Sequence, residues 1–381
     1  MTEISNPSML IIARMTPRLN SRTRKLIKAL SDHFSIRVIS ENSESREIRI
    51  RILDGAELVE IPLSIPDHQL WYFTGILKVI EFNLFSTWDA IRHNHTVIVC
   101  SDSLYIFPGI LAKKLFGRKF VYNSHEIMGG MNNPPFVSCI LNWLERLAIN
   151  TCDFWMVPSD ARARIILNTH KLEKPYIVYA NYPMLKQPSL DRNVYRSHFV
   201  SLGLHDEKPI VIFQGSLTEK RGIEELVQAA ARGNFSLVIQ GKGSLQAYLK
   251  KHMHENMLLL DACPNDEVLE WLNAADLSFV YYENDCINSA YAESSKFYSS
   301  IFAGTPILCN KLPAFQIFAE KYGGIKFINV LNPNEIDRSI TDIFNSPDYY
   351  ERLRNEVIQA RNQLIEMPEE EIIKRAFSDW N

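Results

Sequence analysis

The segment Phe213-Gln-Gly-Ser-Leu-Thr-Glu-Lys-Arg-Gly-Ile-Glu-Glu-Leu226 runs from an apolar stretch through a glycine turn and two adjacent cations into a helical pattern. Gly215 lets backbone approach a ligand closely, Lys220 and Arg221 supply positive charge, and the following helix start presents free N–H groups. Together they suit a bound anion such as a diphosphate. The same residues also fit an exposed loop with solvated cations, so both readings stand. A second glycine turn, Gln240-Gly-Lys-Gly-Ser244, again joins a strand pattern to a helix, and Gly-rich turns of this kind are common. The third piece is Tyr291 to Ile307, where a Ser-rich loop enters a short helix that stops at Gly304. Ser294 or Ser295 caps that helix, and Lys296 beside its open N–H groups makes another phosphate-facing surface; plain capping is the alternative.

These residues need elements to position them. Apolar runs of four to six residues alternate with helical patterns, which predicts parallel sheets covered by helices. In the first half the strand-like runs are Met9–Ala13, Ile36–Ile39, Thr96–Cys100, Phe120–Tyr122, Phe154–Val157 and Tyr176–Tyr179. The second half gives Ile210–Phe213, Ser236–Ile239, Met257–Leu260, Leu277–Val280, Pro306–Leu308 and Ile325–Ile328. The fold class expected is therefore α/β, two doubly wound Rossmann-like domains facing a cleft. Residues 1–187 are expected to form the first domain, 188–208 a linker, 209–360 the second domain and 361–381 a helix packing back on the first. Ligands of open α/β sheets sit at the carboxyl ends of the strands, so the three loops above should face that cleft.

Composition narrows the function classes. Lys and Arg total 41 against 44 Asp and Glu, a net charge of -3, which gives no whole-molecule attraction to nucleic acid or to an anionic membrane. The six cysteines lack any paired spacing for a metal knuckle or a redox motif, and most are expected to be buried in a reducing cytoplasm. The N-terminal residues lack the charge pattern of a secretory signal, so the protein is expected in the cytoplasm. Residues 70–90 are interrupted by Lys78, Glu81 and Asp89, and read as an amphipathic helix instead of a membrane span.

The order of these motifs resembles the GT-B fold glycosyltransferases, and within them the retaining family four, also called glycosyl transferases group 1. "QGSLTEKRGIEELVQAA" is similar to the family's strand, glycine turn, basic diphosphate loop and helix, and "LVIQGKG" to its next strand and turn. "VLEWLNAADLSFVYY" and "SSKFYSSIFAGTPIL" resemble the helix and strand before the donor loop and the helix that ends in Ala-Gly-x-Pro. "RKFVYNSHEI" and "CDFWMVPSDARARII" look like the acceptor-side strand with its His-Glu and the strand-Ser-helix that follows. The resemblance implies a transferase whose nucleotide-diphosphate sugar is a substrate, with no separate cofactor and no metal. It also implies a glycan or lipid-linked acceptor, a role in bacterial surface polysaccharide synthesis, and no nucleic-acid partner. On the donor side it assigns Gly215, Ser216, Lys220, Arg221, Gly241, Ser295 and Lys296. Asp102, His125 and Glu126 fall on the acceptor side, with His125, Arg221 and Lys296 carrying the catalytic contacts.

Two departures qualify what the resemblance implies. The family carries two glutamates eight positions apart where this chain has Tyr291 and Ser299, so Glu293 would have to reach the sugar and Ser299 the ribose. That change also motivates an alternative, a non-catalytic relative that binds nucleotide or glycan and supports a partner enzyme. The Gly-rich first loop is replaced by a segment holding Arg14, Arg18, Arg22, Arg24, Lys25 and Lys28 with no acid among residues 14–28. Arg18 and Arg22 are accordingly expected to meet acceptor phosphates. The patch as a whole, with Trp71, Tyr72 and Phe73, admits two readings, peripheral contact with an anionic membrane or a solvated helix face beside an aromatic cluster that packs in the core.

Overall fold

The computed structural model describes residues 6–16, 21–42, 46–64, 71–183, 192–204, 207–265, 267–367 and 369–380, with the side chains of 71–74 outside the described atoms. The chain divides into two compact units. One comprises Met1–Asn181 with Cys286–Asn288 and Pro368–Asn381, and the other Tyr182–Asp285 with Ser289–Met367.

The first unit runs β1 (Ser8–Ile12), α1 (Ser21–Leu30), β2 (Ser35–Glu41), β3 (Arg49–Leu53), β4 (Ala56–Ile61), α2 (Trp71–Arg92) and β5 (Val97–Ser101). It continues with α3 (Phe107–Phe116), β6 (Lys119–Asn123), α4 (Pro135–Thr151), β7 (Phe154–Val157), α5 (Asp160–His170) and β8 (Tyr176–Val178). The strands lie in the order β3-β4-β2-β1-β5-β6-β7-β8. All pairs are parallel except β3 with β4. Strands covered on both faces read as unbroken apolar runs, and alternate residues feed two cores. Leu10 and Ile12 pack with Phe82 of α2 and Ile110 of α3, whereas Met9 and Ile11 pack with Leu26 and Ile27 of α1. The antiparallel β3–β4 hairpin is absent from the sequence reading above. Its signal was Asp54-Gly55, which adopts φ 50° and 84° as a two-residue hairpin turn requires.

The second unit runs α6 (Arg192–Ser201), β9 (Ile210–Gln214), α7 (Ile223–Ala230), β10 (Ser236–Gln240), α8 (Gln246–His252), β11 (Met257–Leu260), α9 (Val268–Ala274) and β12 (Leu277–Val280). After α10 (Ile287–Ala290), which straddles the unit boundary, come α11 (Ser295–Ala303), β13 (Ile307–Asn310), α12 (Pro313–Tyr322), β14 (Ile325–Ile328), α13 (Pro333–Phe344) and α14 (Pro347–Ile365). Its sheet is parallel throughout, in the order β11-β10-β9-β12-β13-β14. Within the stretch read as a linker, residues 192–201 form α6. Phe199 is its buried apolar residue, 5.4 Å from Trp271 between rings, and Arg192 and Arg196 tie it to Asp276, so its apolar periodicity is weak. The last helix, α15 (Glu369–Phe377), lies beside α1 in the first unit, with Phe377 edge-on to Phe34 and Phe154.

Of the six cysteines, Cys100, Cys152 and Cys309 are buried, Cys263 and Cys286 half-buried and Cys139 exposed. Among the described residues no helix is long and apolar enough to cross a membrane.

Candidate functional site

In each unit the strand order reverses beside the first strand, between β1 and β5 and between β9 and β12, and that is where doubly wound sheets leave a crevice. In the second unit, β9 delivers Gly215 to that point. Gly215 has φ 133°, and a Cβ there would lie 2.1 Å from Lys296 Cε, so only glycine leaves the lysine its place. The same holds for Gly241 after β10, where a Cβ would sit 1.8 Å from the Gly215 carbonyl oxygen. The two glycine turns thus lie back to back, tied by the Gly215 N–H donating to Gln240 O at 2.8 Å.

Lys296, on the first turn of α11, is a buried ammonium facing this turn. Its Nζ is buried with no hydrogen-bond partner and lies 4.8 Å from the centre of the Phe213 ring and 6.0 Å from that of Tyr282. Burial, with a push from Arg221, holds the ammonium down to about 7. The Arg221 guanidinium lies over the other shared surface, 4.0 Å from the centre of the Tyr282 ring. Two cations therefore converge on one aromatic shelf beside a glycine turn, with no carboxylate bonded to either among the described residues. Such an arrangement is unfavourable until an anion arrives. Tyr282 is itself fixed by Asn310, whose Nδ2 donates to its carbonyl at 2.8 Å, and its hydroxyl lies 2.8 Å from Ser294 Oγ.

The remaining donor-side residues divide. Lys220, at φ 65°, is taken up by acids: its Nζ meets Asp285 at 2.8 Å and Glu283 at 3.2 Å, and hydrogen bonds to those carboxylates raise its pKa. Ser294, not Ser295, caps α11, accepting from the Phe297 N–H at 3.2 Å; Ser295 and Ser216 are exposed. Glu293 accepts from Tyr298 Oη at 2.6 Å. Ser299 is buried one helical turn beyond Lys296, and Tyr291 is partly buried. The sequence reading missed Tyr282, Phe213 and Gln214, whose Nε2 bonds Gln240 Oε1 at 2.7 Å. The only available signal was their place at the carboxyl ends of β9 and β12.

In the first unit, Asp102 follows β5 at φ 62° and its Oδ1 accepts the backbone N–H groups of His125 at 2.9 Å and Glu126 at 3.3 Å. Burial raises its pKa, opposed by those two bonds. His125 Nε2 lies 3.0 Å from Asn123 Nδ2, and burial followed by the nearby Arg22 charge holds the imidazole down to about 3, so it is neutral at physiological pH. Arg162, near the start of α5, binds Glu126 Oε2 at 3.2 and 3.3 Å and the His125 carbonyl. Arg162 was not foreseen; an arginine near a helix start carries no distinctive sequence signal.

The basic segment behaves unlike the expectation of a free patch. Arg14 pairs with Glu41 at 2.5 Å, Arg24 with Asp54 at 2.6 Å and Lys25 with Glu369 at 2.6 Å, and Lys28 lies 3.8 Å from Asp54. Arg22 is buried, and Arg18 lies outside the described residues. Acids distant in sequence consume most of this charge. The side chains of Trp71, Tyr72 and Phe73 lie outside the described atoms. The described residues hold no group of three or more His, Cys, Asp or Glu arranged to bind a metal ion.

Residues 195–360 match the family model for glycosyl transferases group 1. An uncharacterized glycosyltransferase of Methanocaldococcus jannaschii is 28% identical over 275 residues, covering 65% of this chain and 67% of its own. Among solved structures, the sucrose-phosphate synthase of Thermosynechococcus elongatus superposes with a TM-score of 0.73 at 12% identity, over 98% of both chains. WaaG, a glycosyltransferase involved in lipopolysaccharide biosynthesis, superposes at 0.68 and 13% identity over 97% of this chain and 98% of its own. HepE of Anabaena, solved with UDP-glucose, also gives 0.68 and 13%, over 98% and 99%. At these identities the structural likeness speaks to fold alone.

Proposed function

Because residues 195–360 match the family model for glycosyl transferases group 1 and the fold is that of GT-B enzymes, we propose that the chain moves a sugar from a nucleotide-diphosphate donor to a glycan or lipid-linked acceptor, with retention of configuration, in the assembly of a surface polysaccharide. The observation that carries this reading is the unpartnered Lys296 ammonium beside Arg221 and Gly215. A nucleoside diphosphate leaving group gains negative charge as the glycosidic bond breaks, and a desolvated Lys296 ammonium beside the Arg221 guanidinium stabilises that charge more in the transition state than in the ground state. The UDP-glucose complex of HepE supports a nucleotide sugar as donor, and the likeness to WaaG supports a surface glycan as product. Neutral His125 offers a hydrogen bond to the acceptor or sugar, and Asp102 holds its backbone in place. The test is a thermal-shift panel of UDP, GDP, ADP, CMP and their sugar conjugates. A shift with one nucleoside diphosphate is expected, and it names the base. Silence across the panel in a cooperatively melting protein would remove the donor assignment.

A second component of the reading concerns the membrane. Helix α2 turns Lys78 and Asp89 inward and Leu77, Ile80, Leu84 and Trp88 outward, while α3 beside it exposes Leu115 and Phe116. The Arg118 guanidinium bonds Asn94, bringing the carboxyl ends of the two helices together. There Arg92, Lys114 and Lys119 are exposed, and residues 107–119 contain no acid. An apolar face bounded by cations complements an anionic bilayer. Co-sedimentation with vesicles rich in phosphatidylglycerol, weakened by Leu84→Glu and by high salt, is expected. Equal recovery with zwitterionic vesicles, or a concentration-dependent dimer that Leu84→Glu abolishes, would assign the face otherwise.

A further inference from the structure

Among the described residues of the first unit, one buried cation has no hydrogen-bond partner on its charged group. Arg22, the second residue of α1, is 3% exposed, and its Nε, Nη1 and Nη2 are all buried without a hydrogen-bond partner. Desolvation lowers its pKa only to about 10, so it remains a cation at neutral pH. Its position is held: the guanidinium carbon lies 5.2 Å from the centre of the Tyr179 ring, and Tyr179 Oη donates to the Arg22 carbonyl at 3.2 Å.

Among the described residues, the two carboxylates whose charge reaches it hold other partners. Glu369 accepts from Lys25 Nζ and from the Ala180 N–H, each at 2.6 Å. Glu126 is taken by Arg162, and Asp102 Oδ1 by two backbone N–H groups. Asp102 and Glu369 attract Arg22 across space and Arg162 repels it, and none of the three bonds it. Buried guanidinium groups are otherwise paired, because leaving five donors dry costs far more than a single missing hydrogen bond. Arg22 begins the helix that follows β1, Asp102 follows β5 and His125 follows β6, so the orphan fork belongs to the carboxyl-end crevice of this sheet, where its charge reaches His125.

We propose that Arg22 is an oxyanion receptor in the acceptor site, its planar fork taking a phosphate or carboxylate carried by the acceptor and holding that molecule beside His125 and Asp102. This rests on the transferase reading for the word acceptor; the oxyanion site itself does not. Phosphate esters and uronates share the paired-oxygen geometry that a guanidinium matches, which a lysine would not.

The test uses the full chain carrying Arg221→Ala and Lys296→Gln, so that the cations of the second unit contribute nothing. Its melting temperature is followed against inorganic phosphate and against acetate at matched ionic strength, with and without Arg22→Met. Stabilisation by at least one anion is expected, lost in Arg22→Met, together with a higher melting temperature for Arg22→Met in chloride alone. The rise in chloride follows because an unpaired buried charge has been replaced by an apolar side chain. A larger response to phosphate identifies a phosphorylated acceptor, and a larger response to acetate a uronate-type one. A merely structural Arg22 predicts the opposite pattern, a lower melting temperature in Arg22→Met with the anion response unchanged or absent throughout, and that result overturns the proposal. Arg22→Lys, keeping the charge without the fork, is expected to retain part of the response. Wild-type titration with UDP reports on the donor reading separately, so failure of one leaves the other standing.

Discussion

In the second unit Arg221 and Lys296 bond no carboxylate among the described residues, whereas in the first unit most of the described cations of residues 14–28 do. Arg221 and Lys296 share the Tyr282 ring with no carboxylate bonded to either. Arg14, Arg24 and Lys25 each hold a carboxylate within 2.6 Å. By count of charges along the sequence the segment 14–28 is the stronger anion site, and by geometry it is the weaker. An anion is drawn to the charge left over after the fold has satisfied itself, which is why a buried, unpartnered lysine outweighs a dense but paired cluster.

The comparison can be broken most decisively at Lys296. Replacing it with Gln should lower kcat/KM by about 10³-fold, the order seen when one charge-stabilising donor is lost. Because the free ammonium titrates near 7, UDP affinity should fall as pH rises through about 7 in the wild type and be flat there in Lys296→Gln. Isothermal titration at pH 6 and pH 9 checks both, and a wild-type affinity independent of pH would separate Lys296 from the donor. Next in size, Arg221→Ala should cost about 10²-fold in turnover. It should barely change melting, since this cation holds no salt bridge. Retained turnover would remove the diphosphate contact.

A smaller effect sharpens the contrast from the other unit. His125 is held down to about 3, so the pH–rate profile between 5 and 8 should carry no histidine limb. His125→Asn should lower kcat/KM about tenfold without changing the profile's shape, the loss of roughly one hydrogen bond. A limb near 6.5 that disappears in the variant would place a titrating imidazole in the mechanism. Smallest of all, Lys220→Ala and Arg24→Ala should leave donor affinity within about twofold, because their charges are spent on Asp285, Glu283 and Asp54. A tenfold loss in Lys220→Ala would bring that residue back to the phosphates.

Much of the architecture was legible from local pattern. Twelve apolar runs marked twelve of the strands because parallel strands covered on both faces must be apolar throughout, as Met9 to Ile12 and Ile210 to Phe213 are. The β3–β4 hairpin escaped because Arg49, Arg51, Glu57 and Glu60 dilute its apolar run, leaving Asp54-Gly55 as its signature. Within the candidate site, Gly215, Arg221 and Lys296 were readable because a strand-glycine-cation-helix order is a local arrangement. The Tyr282 shelf, the Arg162 clasp and the pairing of Lys220 with Asp285 were not, since each joins residues brought together only by the sheet.

The sequence by itself determined two α/β sheets, the glycine turns at their strand ends and the types of side chain available there, because periodicity and backbone freedom are properties of neighbouring residues. Only the tertiary structure decided which cations stay unpaired. Lys25 finds Glu369 across more than three hundred residues while Arg22, three positions earlier, finds no hydrogen-bond partner for its guanidinium among the described residues, and no local pattern distinguishes them. Pairing depends on distance in space, and folding sets that distance.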